Sequence, residues 1–125
     1  PVLEAAGAAA LASGDMYRLC AVLEALEVVA DPASIALLCA VVHDAPYSYA
    51  RWKALAALVP HVERAEVDAV LTDALWDSEA EARLIACDQA DLDSPAVRAR
   101  LDEFIADERE DKELRALARE VRAGP

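Results

Sequence analysis

Glycine, histidine, aromatic residues and basic charge are all in short supply in this chain, and each shortage removes a class of function. The three glycines, Gly7, Gly14 and Gly124, are scattered. There is therefore no Gly-rich loop to cradle a phosphate and no Gly-x-Ser-x-Gly elbow to expose a nucleophile. The serines, Ser13, Ser34, Ser48, Ser78 and Ser94, stand mainly at expected helix starts or turns, where capping explains them. The only histidines, His43 and His61, sit near helix ends, where an imidazole suits the negative end of the helix dipole. Neither has a zinc-ligand spacing, so no metal and no cofactor is expected. Cys20, Cys39 and Cys87 are too few and too far apart for a disulfide scaffold. Core packing is their expected role, with a Cys20–Cys39 bridge between adjacent helices left open. Basic residues number 12 against 24 acidic ones, a formal net charge of −12. Nucleic acid is not an expected partner, because binding a phosphate backbone draws on clustered Lys and Arg. The longest apolar runs, such as Ile35 to Val42, are too short to span a bilayer, and no signal-peptide pattern opens the chain. A cytoplasmic protein is the expectation. Pro1 stands where an initiator Met would, which leaves open a segment of a longer protein.

What the chain has in excess is alanine, 30 residues of 125, the strongest intrinsic helix former. Val and Ile are scattered without period-two alternation, so a helical array is predicted. The charge is uneven: residues 1–62 carry a net −3 and residues 63–125 a net −9. The acidic half reads first as a solvated helix face and second as a surface for a basic partner.

An internal repeat organises the helices. Arg18, Arg51, Arg83 and Arg115 recur at intervals of 33, 32 and 32, each followed three positions on by Ala21, Ala54, Ala86 or Ala118. A second register of 13 residues joins Asp31 to Asp44, Arg64 to Asp77 and Ser94 to Asp107. Asp31-Pro32 and Ser94-Pro95 read as helix starts, an N-cap acceptor followed by Pro at the first helical position. Asp44, Asp77 and Asp107 each follow an apolar segment, where a carboxylate can bond the backbone of a tight turn. The spacing predicts helices at about 2–12, 15–30, 32–43, 47–59, 65–76, 78–91, 95–106 and 110–123. Short connections make antiparallel neighbours. One all-α domain over 1–125 follows, with repeats at about 1–30, 31–61, 62–93 and 94–123.

The stretch from Asp31-Pro32-Ala33-Ser34-Ile35-Ala36-Leu37-Leu38 to His43-Asp44 resembles the first helix of short HEAT-like repeats of the phycobilisome-lyase type. The arginine-plus-alanine second helices match as well, most clearly over residues 31–123. The resemblance implies a right-handed α-solenoid of about four antiparallel hairpins. It also implies that Arg18, Asp44, Arg51, Asp77, Arg83, Asp107 and Arg115 form a structural ladder between turns and repeats. The first repeat departs from the pattern, with Gly14 near the place of the turn Asp and Gly7 in its first helix. The fourth repeat has an unusually charged second helix; terminal repeats are often atypical. HEAT-like hydroxylases carry repeated His-Glu pairs, and no His here is followed by Glu.

Carboxylate pairs such as Glu79 and Glu81 point to different helix faces, so shared acid–base work is not expected. Trp52, next to the repeat arginine, and Trp76, ending the stripe of Val67, Val70 and Leu71, are expected in the core. Tyr17, Tyr47 and Tyr49 read either as ordinary packing or as rigid contacts for a partner. In HEAT-like stacks the second helices line the concave side, which implies a surface carrying Tyr17, Glu24, Tyr47, Lys53, Glu79 and Gln89. The expectation is a non-catalytic interaction or scaffold module for a basic or amphipathic protein segment, monomeric or weakly self-associating. An enzyme subunit of the tetrapyrrole-lyase kind and a structural segment of a longer solenoid are the alternatives.

Overall fold

A computed structural model describes residues 1–125, which form eight α-helices with single 3-10 turns and no strand. They are α1 (Val2–Ser13), α2 (Met16–Val29), α3 (Ile35–Asp44), α4 (Ser48–Leu58), α5 (Ala65–Asp73), α6 (Ala80–Asp88), α7 (Pro95–Ala106) and α8 (Lys112–Ala123). The 3-10 turn Pro32–Ser34 leads into α3, while Val59–His61 and Ala74–Trp76 close α4 and α5. Each expected helix is present, with ends displaced by three residues at most. No helix is long and apolar enough to cross a membrane.

The boundaries have local causes. The Asp15, Ser94 and Asp111 side chains accept from the backbone N–H groups of Arg18, Val97 and Leu114, satisfying donors that a helix start leaves open. The Asp31 carboxylate accepts from Ala33 N at 3.0 Å, and the buried Ser34 hydroxyl donates to Asp31 O at 2.6 Å. Gly14 ends α1 in the left-handed conformation, φ 76°. Ala30 ends α2 in the same way at φ 53°, a conformation that its Cβ disfavours.

The chain forms two compact units, Pro1–Val70 and Leu71–Pro125. In the first, α1 packs on α2 and α3 on α4, while α1 also packs on α3 and α2 on α4. In the second, α7 packs on α8, α6 on α8, and α6 on the 3-10 turn after α5. The first helices, with the 3-10 turns that flank α3 and α5, bury residues spaced i, i+4, i+7: Ser34, Leu38, Val41; Val67, Leu71, Ala74; and Val97, Leu101, Phe104. In α1 the stripe shrinks to Gly7 and Ala10, and a Cβ on Gly7 would come within 2.5 Å of a Leu37 methyl.

The second helices keep the stricter register. Their N-caps, Asp15, Tyr47, Glu79 and Asp111, recur at intervals of 32 residues. Seven positions on, Val22, Ala54, Ala86 and Ala118 are all buried. Four positions on stand Leu19, Arg51, Arg83 and Arg115. The structural counterpart of the repeat arginine in the first hairpin is thus the buried Leu19, whereas Arg18 and Ala21 lie on the exposed face.

Three packing expectations need correction. Trp76 is 52 % exposed and lies against the Arg100 guanidinium, 5.7 Å from the ring centre. Five residues beyond Leu71 is about 140° round a helix, so Trp76 falls off the apolar stripe. Trp52 is half-buried. All three cysteines are free thiols; Cys87 alone is buried, and Cys20 and Cys39 are half-buried.

Candidate interaction surface

In the first unit, the starts of α2 and α4 leave an open groove of about 460 Å³, lined by Met16, Tyr17, Pro46 and Tyr47. Its tyrosines are offered outward: Tyr17 is 94 % exposed and Tyr47 48 %. The Tyr47 ring tilts against Tyr49 at 5.9 Å, and Tyr49 meets Trp52 edge-on at 5.0 Å. Tyr49 and Trp52 lie one α-turn apart on α4, which brings their rings together.

Past the groove, two polar rungs cross from α4 to α2. The Tyr49 hydroxyl donates to Glu24 Oε1 at 3.5 Å, and Lys53 Nζ donates to Glu27 Oε2 at 3.4 Å. The Lys53 ammonium also lies 5.3 Å from the Trp52 ring centre and 5.9 Å from that of Tyr49, so aromatic faces and a carboxylate share its charge. Both rungs are long and solvent-facing, which limits what they add to stability. Burial, with a smaller contribution from the Glu24 carboxylate, pushes the half-buried Cys20 thiol above its usual value. Of the six expected surface residues, four therefore belong to one face of the α2–α4 pair: Tyr17 and Tyr47 in the groove, Glu24 and Lys53 in the rungs. Glu79 and Gln89 cap opposite ends of α6, and the Gln89 amide donates to Asp88 at 3.3 Å.

The arginine positions do different work. Arg83 donates to the Asp77 carbonyl at 2.9 Å and to Glu110 Oε1 at 2.6 Å, with 13 % of each charged side chain exposed. The same Glu110 oxygen accepts from Asp111 N at 2.9 Å, so one carboxylate ties α6 to the start of α8. Arg115 donates to the Ile105 carbonyl at 3.0 Å. Asp77 and Asp107 each accept from the backbone N–H two residues on, at 2.9 Å, closing the turns before α6 and α8. Arg51 is half-buried in α4, whereas Arg18 and Asp44 are exposed.

Sequence spacing did not single out Glu110, Glu27 or Arg100. Arg100 bonds the Leu75 carbonyl at 3.0 Å and Glu103 at 2.8 Å, and its guanidinium lies 4.6 Å from the Phe104 ring centre. The available signal was an arginine one α-turn before an aromatic on an apolar stripe. His61 is buried and His43 exposed, and no three His, Cys, Asp or Glu side chains converge into a metal-holding group. No protein-family model, no curated protein and no solved structure matches this chain.

Proposed function

We propose that this chain is a protein-interaction module of the HEAT-like kind, and that it binds a basic segment of a protein partner on its second helices. The observation that carries the reading is the α2–α4 face, where the exposed Tyr17 and Tyr47 adjoin the half-buried Tyr49, whose hydroxyl meets the exposed Glu24 carboxylate. Tyrosine gives large contact area at little cost in side-chain entropy, and acidic neighbours steer a cationic partner. The right-handed solenoid of about four hairpins belongs to the same reading. It is supported by the 32-residue recurrence of N-caps and by the way that α1 meets α3 while α2 meets α4. Panning a phage-displayed random peptide library on the immobilised protein tests the function. Basic peptides should be enriched and should be lost from the Glu24→Lys variant. Enrichment of no peptide, or equal enrichment by the variant, would overturn the proposal.

A structural or self-associating role has its own observation. Val2, Val28 and Val29 are exposed at one end of the α1–α2 hairpin, where a hollow of about 270 Å³ includes Val2, Leu26 and Val29. Apolar surface of that kind marks a contact face. Sedimentation of the wild type beside Val28→Glu tests it: a concentration-dependent dimer lost in the variant supports the role, and a monomer at every concentration removes it.

A further inference from the structure

The shape of the α2–α4 face narrows what can lie on it. Beyond the groove the seam between the two helices is already crossed, because Tyr49 reaches Glu24 and Lys53 reaches Glu27. A helical ligand needs a continuous trough to take anchors at i, i+3, i+4 and i+7, and these rungs interrupt it. What remains open is the short groove at the helix starts, with Met16 and Pro46 between outward-facing Tyr17 and Tyr47. Tyrosine-walled grooves of that size suit the ridge of a polyproline II segment. Such a segment is already extended and loses little entropy on binding.

Charge then fixes a second feature. Tyr17 and Glu24 are seven residues apart on α2, so they lie on nearly the same face, about 10 Å apart along the axis. A polyproline II chain advances about 3.1 Å per residue and covers that distance in about three residues. Glu24 is exposed, and its bond from Tyr49 is long. One turn further along, the Lys53–Glu27 rung places a cation in the seam, which discourages a second basic group there.

We infer that the groove of Met16, Tyr17, Pro46 and Tyr47 binds an extended proline-containing segment, with a basic residue about three positions from the seated proline paired to Glu24. This inference rests on the interaction-module reading and names the class of its partner.

The test is fluorescence anisotropy with a fluorescein-labelled Pro-x-x-Pro peptide carrying arginine three positions beyond the second proline. Two control peptides replace both prolines by alanine, or the arginine by glutamate. The proline peptide should bind, and Tyr17→Ala and Tyr47→Ala should each weaken it about tenfold, as loss of an aromatic anchor does. Glu24→Gln should weaken it about threefold to tenfold, and the salt dependence should fall with the lost charge. Tyr17 is 94 % exposed, so its substitution leaves the fold intact and circular dichroism verifies this. Undiminished binding by both tyrosine variants would overturn the inference. Tighter binding of the alanine peptide would overturn it too, in favour of a helical occupant, while leaving the interaction-module reading in place. If the proline and alanine peptides both fail to bind, and the panned library yields no basic peptide, the two readings fall together.

Discussion

The two compact units of this chain hold themselves together by different means. Unit 1 has nine acidic and four basic residues, unit 2 fifteen and eight. In unit 1 the hairpins meet through leucine and valine, with Leu19, Leu23, Leu38, Leu55 and Leu58 fully buried. Much large apolar surface is left outside as well, at Val2, Tyr17, Val28, Val29 and Tyr47. In unit 2 arginines join elements to turns. Arg83, Arg98, Arg100 and Arg115 all donate to main-chain carbonyls, and Arg83–Glu110 and Arg122–Asp102 link separate segments. A repeated helical hairpin can thus be fastened by apolar volume or by guanidinium forks that each satisfy a turn. The apolar solution leaves more surface free for a partner.

Five experiments would break or sharpen that contrast. The largest effect should come from truncation in the apolar unit. Leu55→Ala is expected to cost about 2–5 kcal/mol, through lost transfer energy and a cavity. Urea melts check it, and a loss under about 1 kcal/mol would mean that the hairpins of unit 1 do not depend on this packing. In unit 2 the matching change is Arg83→Met, which leaves Glu110 largely buried without its cation. A loss of about 2–4 kcal/mol is expected, and Arg83→Met, Glu110→Leu together should recover part of it. A double variant no better than the single would show that the guanidinium bond to the Asp77 turn matters more than the ion pair.

Smaller effects follow. Ala30→Gly should raise unit 1 stability by about 0.5–1 kcal/mol, because glycine relieves the left-handed cap. A melt unchanged or lowered would refute this. In unit 2, acid should act through Asp102 and Asp107. The Arg122 hydrogen bond holds the first carboxyl below its ordinary value of 3.8, and the backbone N–H and side chain of Arg109 do so for the second. Their contribution is complete above the unfolded value and disappears as pH falls through the lower folded value. Asp102→Asn and Asp107→Asn should therefore flatten stability against pH below about 4. The slightest readout is thiol labelling at pH 8: Cys20 and Cys39 should react first, and Cys87, pushed up to about 11 by burial, last.

The helices were legible because their signals are local. Asp31-Pro32, Ser94-Pro95 and Gly14 mark boundaries through caps, and alanine supplies propensity in between. The phase of the first repeat was less legible, because Arg18 imitates the later arginines by identity and sits one residue early. Only the N-cap positions reveal that Leu19 is the counterpart, and an N-cap is defined by backbone conformation. Trp76 misled for a related reason: its apolar character suggested the core, while its angle round the helix pointed to Arg100. Although Arg18 is one residue out of register and so gives no phase for Tyr17 and Glu24, the placing of Tyr47 and Lys53 relative to Arg51 was legible for the surface. Their linkage through Tyr49 and Glu27 was not, because residues 25 and 26 positions apart meet only when α2 packs on α4.

The two tryptophans fall one to each unit, Trp52 beside Tyr49 and Trp76 beside Arg100. The protein therefore carries an optical reporter in each part without any added label. Trp76→Phe leaves a chain whose emission tracks unit 1, and Trp52→Phe one whose emission tracks unit 2. Superimposed denaturation curves from the two would mean a single cooperative transition, and separated curves would give each unit its own stability. The Trp52 reporter also serves binding, since a ligand on the α2–α4 face is expected to shift its emission.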